Sequence, residues 1–248
     1  MMALIDTPTV GRAYAFGWSK LGALLAEYWW IYAVAVVVDA ACSTWSATAS
    51  GLSTGTIASI VGTFPAVATT ARLVRADARL HARDAAAIVA MWLLMLLALA
   101  IVVALVVLVA RLSSGLGAFA GLGAFVLLIW LTIRCMYVQI VYANARTRHI
   151  GEAFAKSFDL ADGARWWSTL GLALAIVATL LIPTIVFSAM GWSALSALRE
   201  GGSRLPVFPL AVAIDVCSVV SIVWSNAAFT ALASSFGALE GDATPAVT

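Results

Sequence analysis

Long apolar stretches broken by short polar ones dominate the chain, and the stretches fall into pairs. A helix needs about 20 apolar residues to cross a hydrocarbon core of about 30 Å. Six runs meet that length: Trp29–Ala47, Ser53–Val74, Ala85–Ala110, Leu116–Val141, Trp166–Met190 and Val207–Ala233. They pair into three hairpins. The turn Ser46–Gly55 is rich in Ser, Thr and Gly, Arg111–Gly115 is very short, and Gly191–Pro206 is the longest. The pattern predicts an all-α polytopic membrane protein of six transmembrane helices, with amphipathic interfacial linker helices before the hairpins.

The linkers carry the most informative pattern. Ile150–Trp167 reads IGEAFAKSFDLADGARWW, and a relative of it opens the protein. Val10–Trp18 aligns onto Ile150–Phe158 without gaps at an offset of 140 residues. In the second copy Ile150, Phe154, Ser157, Phe158 and Ala161 share one helical face, and Glu152, Lys156 and Asp159 share another. Gly163 after Asp162 is a helix stop. In the first copy Thr7-Pro8 supplies an N-cap and an N1 proline, and Val10, Tyr14, Trp18 and Leu21 form the apolar stripe. Such helices suit the membrane–water boundary, apolar side in the acyl chains. Each leads to a tryptophan pair, Trp29-Trp30 or Trp166-Trp167.

Half the offset locates a third, degenerate linker near residue 80, in ARLHARDAAA. The expected units are 8–74, 75–145 and 146–237 of a single membrane domain 1–248, with 238–248 a flexible cytoplasmic tail. Three units of linker plus hairpin all share one orientation, unlike the inverted repeats of many transporters.

Composition removes the soluble alternatives. Of 248 residues 63% are hydrophobic and 10% charged, a balance outside that of soluble domains. Charge then orients the chain. Arg12, Lys20, Arg72, Arg75, Arg79, Arg83, Arg146, Arg148, Lys156 and Arg165 lie on the N-terminal side; Arg111, Arg199 and Arg204 lie on the other. Ten against three predicts both termini in the cytoplasm. The Arg-over-Lys and Ala-rich bias points to a bacterial cytoplasmic (inner) membrane, and the N-terminus lacks the basic region of a cleaved signal peptide. Arg72, Arg75, Arg79, Arg83, Arg146 and Arg148 are candidates for lipid headgroups, although the topogenic arginine bias alone accounts for them.

The leaders G-x-A-aromatic-x-x-S-aromatic before paired spans, as in GEAFAKSFDLADGARWWSTLGLAL, resemble the six-span membrane domain associated with glycerophosphoryl diester phosphodiesterases and related bacterial membrane proteins. The resemblance implies fold, not activity. In those enzymes catalysis belongs to a separate soluble barrel with metal-binding carboxylates, so no catalytic residue is carried over.

Candidate chemistry is sparse. His81 and His149 lie in basic loops without a metal-ligand spacing, and Cys42, Cys135 and Cys217 sit in apolar runs. No nucleophile elbow or phosphate loop is present. The expectation is therefore no enzyme, no metal, no cofactor and no nucleic acid. Ser218, Ser221, Ser225 and Asn226 give the last run a polar stripe, Pro65 and Pro183 are candidate kinks, and Gly117-xxx-Gly121 permits close helix approach.

Three ionisable residues lie well inside runs, away from their ends: Asp39, Arg134 and Asp215. Such groups are costly in lipid and face the bundle interior, paired with one another. At 1.5 Å per residue Asp39 is ~15 Å from Trp29, and Arg134 ~12 Å from the cytoplasmic end of its run. Asp215 is ~12 Å from the outer end, hence ~18 Å from the inner one. Similar depths let Arg134 bridge both acids. Two function classes remain: a non-catalytic scaffold or accessory subunit with a membrane-protein partner or a second copy, and a small transporter or channel using the three charges.

Overall fold

The computed structural model describes residues 7–46, 64–74, 82–144, 149–199 and 207–237. Among the described residues all regular structure is α-helical: α1 (Thr7–Glu27), α2 (Trp29–Ser46), α3 (64–74), α4 (Ala82–Leu112), α5 (Ser114–Cys135), α6 (Val138–Ala143), α7 (Ile150–Leu160), α8 (Ala164–Arg199) and α9 (Val207–Ser235).

Among the described residues three stretches are long and apolar enough to cross a membrane: Gly115–Ala143, which runs through α5 and α6, Ala164–Phe187 and Phe208–Ser235. A fourth arises if α1 and α2, bent by 86° at Tyr28, count as one broken span. Of the six runs read from the sequence, the second falls partly outside the described residues, and α4 offers the shorter apolar stretch Leu96–Arg111. The first and middle turns differ in status. Most of Ser46–Gly55 is outside the described residues, whereas α4 turns back into α5 through Ser113.

That turn explains the glycine pair. A Cβ on Gly117 would stand 2.6 Å from the Ala110 Cβ, and one on Gly121 would touch Val106 at 4.0 Å. The pairing 110/117 and 106/121 is antiparallel. Gly117 is thus consumed within the α4–α5 contact, where any side chain would force the helices apart.

One expectation about a helix end is corrected. The third turn does not begin at Gly191, because α8 continues as helix to Arg199. A lone glycine inside a helix costs only about 1 kcal/mol, which does not stop it. Pro183, a candidate kink, sits inside α8, which continues past it. The tail 238–248 and the linker around residue 80 lie outside the described residues, apart from α4's start at Ala82.

The core is concentrated at one end of the bundle. Val67 and Val74 of α3, Val138, Ile140 and Val141 of α6, and Trp224, Ala228 and Leu232 of α9 join one buried cluster with Ala13, Ala153 and Leu172. A second cluster joins Leu24, Tyr28, Ile31 and Val36 to Val219, Val223 and Ala227. Away from this end the apolar faces of α4, α5 and α8 are open, Phe119, Leu122, Phe125 and Ile182 among their most exposed residues. Without water on one side, helices gain little from hiding Leu from lipid. Tight packing therefore gathers where small and hydrogen-bonding residues occur.

The two linkers each seal that end. α7 packs on α6 and α5, and α1 packs chiefly along α9 and α8. At the 140-residue offset the burial pattern recurs: Ala13 and Ala153 are buried, Gly17 and Ser157 are buried, Tyr14 and Phe154 half-buried. Glu152, Lys156 and Asp159 point outward, as their pattern predicts. α1 packs along α9, and the face it buries centres on Ala13, Gly17 and Leu24; of the apolar stripe read from sequence, Val10, Tyr14 and Leu21 are half-buried and Trp18 is exposed.

Candidate functional site: the charges inside the bundle

The intramembrane charges occupy two places, not one. α2 presents Tyr32, Val36 and Asp39 along one face at helical spacing, and α9 presents Val223, Val219 and Asp215. The helices pack against each other. One turn beyond the Val36/Val219 level the two carboxyl groups meet within hydrogen-bonding reach. Asp215 is 7% exposed, and its Oδ2 contacts no donor. Asp39 is half-buried.

Arg134 is elsewhere. Its Nη1 donates to the Phe158 carbonyl oxygen at 2.7 Å, and its Nη2 donates to Asp162 Oδ1. The guanidinium also lies 5.1 Å from the Trp130 ring and 5.7 Å from Phe158, a cation–π setting. Ser157 donates back to the Arg134 carbonyl oxygen. Arg134 therefore clamps the end of α5 to the α7–α8 elbow, where Gly163 adopts φ +55° and stops α7 as the sequence indicates. The depth argument that joined Arg134 to both acids fails for a physical reason. The elbow returns a closer, water-accessible carboxylate, Asp162, 67% exposed, to a guanidinium 17% exposed. Pairing at the rim avoids the desolvation that a buried ion pair demands.

No protein-family model, curated protein or solved structure matches this chain. What the site does must therefore be argued from its own residues.

The remaining candidates divide simply. Arg72 pairs with Glu27 at 2.7 Å, both side chains well exposed. Arg75, Arg79, Arg146 and Arg148 lie outside the described residues, and Arg83 is placed only as part of α4. His149 precedes α7, its carbonyl receiving the Ala153 N–H; His81 is outside the described residues. The three cysteines are free thiols, and no metal-competent group of three His, Cys, Asp or Glu occurs among the described residues. In the α9 polar stripe Ser221, Ser225 and Asn226 bond carbonyls of their own helix, and Ser218 is exposed.

Residues that sequence reasoning passed over make the tightest contacts. Trp224 of α9 stacks against Tyr14 and Trp18, at 5.0 and 4.7 Å between ring centroids, and lies over Gly17. Three tyrosines reach threonines on neighbouring helices: Tyr14 to Thr179, Tyr32 to Thr69 and Tyr137 to Thr169. The signal was available in one case, since Gly17 aligns with Ser157 and both are small at the centre of their helices.

Proposed function

We propose that this chain is a non-catalytic integral membrane protein of the bacterial cytoplasmic membrane that acts as a scaffold or accessory subunit. It is built from three linker-plus-hairpin units with both termini in the cytoplasm. The observation that carries this reading is the open apolar surface of α4, α5 and α8 beside a core confined to one end. Such a bundle is tied at its linker end and presents long helix faces to the membrane plane. The recurrence of the buried Ala13/Gly17 pattern at Ala153/Ser157 supports the repeat. It also suggests a cyclic order, in which each linker seals the second helix of the preceding unit: α7 on α5 and α6, α1 on α9. The arginine bias at that end supports the orientation.

The test is a photo-crosslinking amino acid placed at Leu94, Leu127 or Leu181, all exposed, in native membranes. A scaffold gives one reproducible protein adduct, or a dimer, from at least one position. Lipid adducts alone from all three would overturn the reading. The orientation has its own test. Single cysteines at Ser53 and Gly202, in a background without the native three, should react with an impermeant thiol reagent from outside; labelling at Ala78 in sealed cells would reverse it.

A second reading, a small transporter or channel, is favoured by one observation, the contact between Asp39 and Asp215. In that case a variant with both acids changed to Asn folds and loses flux.

A further inference from the structure

The Asp39–Asp215 contact has a chemical requirement of its own. A carboxylate carries no donor. Two carboxyl groups form a hydrogen bond only when one of them holds a proton. Both ionised at that separation, inside an apolar helix pair, they would repel without a compensating cation. Neither helix supplies one: Asp39 is the sole charged residue of α2 and Asp215 of α9.

Among the described side chains the packed neighbours do not supply one either. On α1 the charged groups are Arg12, Lys20 and Glu27, on α3 Arg72, and on α8 Arg165 near its start and Arg199 as its last residue. Arg72 is engaged by Glu27, and Arg165 lies over the Phe236 ring at 5.5 Å. Along α2 the nearest other titratable side chains are Tyr32, two turns before Asp39, and the Cys42 thiol one turn after it; on α9 it is Cys217. Arg134, within the fourth apolar run, is spent on Asp162 and the Phe158 carbonyl.

A second observation bears on occupancy. Asp215 is more than nine-tenths buried, yet its Oδ2 meets no protein donor. An acceptor so placed in an apolar surround calls for a positive or donating ligand. We infer that Asp39 and Asp215 form a single-proton site between α2 and α9, one carboxylic acid donating to the other carboxylate, whose ligand is H⁺. The site holds whether or not the chain has a membrane partner, so it does not depend on the scaffold reading.

The site is read with a membrane-soluble carbodiimide, which reacts with a protonated carboxyl. The acid O–H proton passes to the carbodiimide nitrogen, the carboxylate oxygen bonds its central carbon, and the adduct rearranges to a stable N-acylurea. Full-length protein in lipid nanodiscs is labelled across a pH series, and the modified peptide is identified by mass spectrometry. Labelling of Asp39 or Asp215 is expected at neutral pH, falling as pH rises. In Asp39→Asn and in Asp215→Asn the remaining acid loses the partner charge that held its proton. Its half-labelling pH should then drop by about one unit, the scale that defines coupled titration.

Absence of label in the native protein at neutral pH overturns the inference. So does an unchanged pH profile in both variants, since uncoupled acids share no proton. Protection by Na⁺, against choline at equal ionic strength and pH, assigns the site to a metal cation and overturns the proton as its ligand. Should a variant fail to fold, infrared spectroscopy of the native protein decides. A protonated-carboxyl C=O band that shifts in D₂O and vanishes at high pH is expected, and its absence refutes the site.

Discussion

The sharpest consequence of the packing concerns Gly17. A Cβ there would stand 2.7 Å from Trp224 Cδ1, 2.9 Å from its Nε1 and 2.9 Å from its carbonyl oxygen. The ring can turn away; the carbonyl is backbone and moves only if α1 lifts from α9. Gly17→Ala therefore overpacks the contact, at about 1–3 kcal/mol. It also removes a helix-interior glycine, which returns about 0.5–1 kcal/mol. Gly11 provides the control, because it lies on the same helix and a Cβ there meets nothing within 4 Å. Gly11→Ala keeps the helix gain without the clash. The difference between the two variants isolates the steric cost, about 1–3 kcal/mol in disfavour of Gly17→Ala. Unfolding of both proteins in one detergent, followed by tryptophan fluorescence and circular dichroism, reads that difference. Adding Trp224→Leu to Gly17→Ala should recover part of the loss, the carbonyl contact remaining. Equal stability of Gly17→Ala and Gly11→Ala would show that α1 is not seated on α9.

Arg134→Ala strands the Phe158 carbonyl and removes the cation over Trp130, so unfolding should be easier by about 1–3 kcal/mol. Asp162→Asn, at an exposed acid, should cost at most about 1 kcal/mol, and equal effects would contradict the clamp. Ser157→Ala removes its bond to the Arg134 carbonyl and should cost about 1 kcal/mol. Arg72→Ala breaks an exposed pair with Glu27 and should fall within about 1 kcal/mol of the parent. The purified chain should hydrolyse no glycerophosphodiester; metal-dependent turnover that vanished on changing His81 or His149 would refute the non-catalytic reading.

Legibility tracked the local or non-local origin of each feature. α7 was readable because its polar face, its apolar face and its stop at Gly163 are all encoded within 14 residues of one another. The extension of α1 to Glu27 was less so, since the elbow at Tyr28 carries no Gly or Pro. Trp18 misled for a different reason. Periodicity weights large apolar groups, but between membrane helices the close contacts belong to small ones, here Ala13 and Gly17. The charges expose the limit of depth arithmetic. It placed Asp39 and Asp215 at one level, and they meet. It placed Arg134 there too, because rise per residue ignores an elbow that brings Asp162 back to the end of α5.

The tyrosine–threonine contacts show how a bundle poor in charge still fixes its neighbours. In each pair the threonine hydroxyl lies within donating distance of the carbonyl four residues earlier: Thr69 to Pro65, Thr169 to Arg165, Thr179 to Ala175. A hydroxyl has one proton and two lone pairs. With the proton spent on its own helix, threonine can only accept, so Tyr32, Tyr137 and Tyr14 donate. Direction matters for what a substitution costs. Tyr137 is fully buried, and Tyr137→Phe removes the donor while Thr169 keeps its backbone bond. The loss should be that of one hydrogen bond, about 1 kcal/mol, without a stranded group. Thr169→Val leaves the buried phenol proton with no acceptor, a penalty of about 1–3 kcal/mol. In the double variant nothing is stranded, so it should be more stable than Thr169→Val alone, and the cycle should return a coupling of about 1 kcal/mol or more. If Thr169→Val and Tyr137→Phe prove equally mild and additive, the phenol has another acceptor and the assigned direction is wrong.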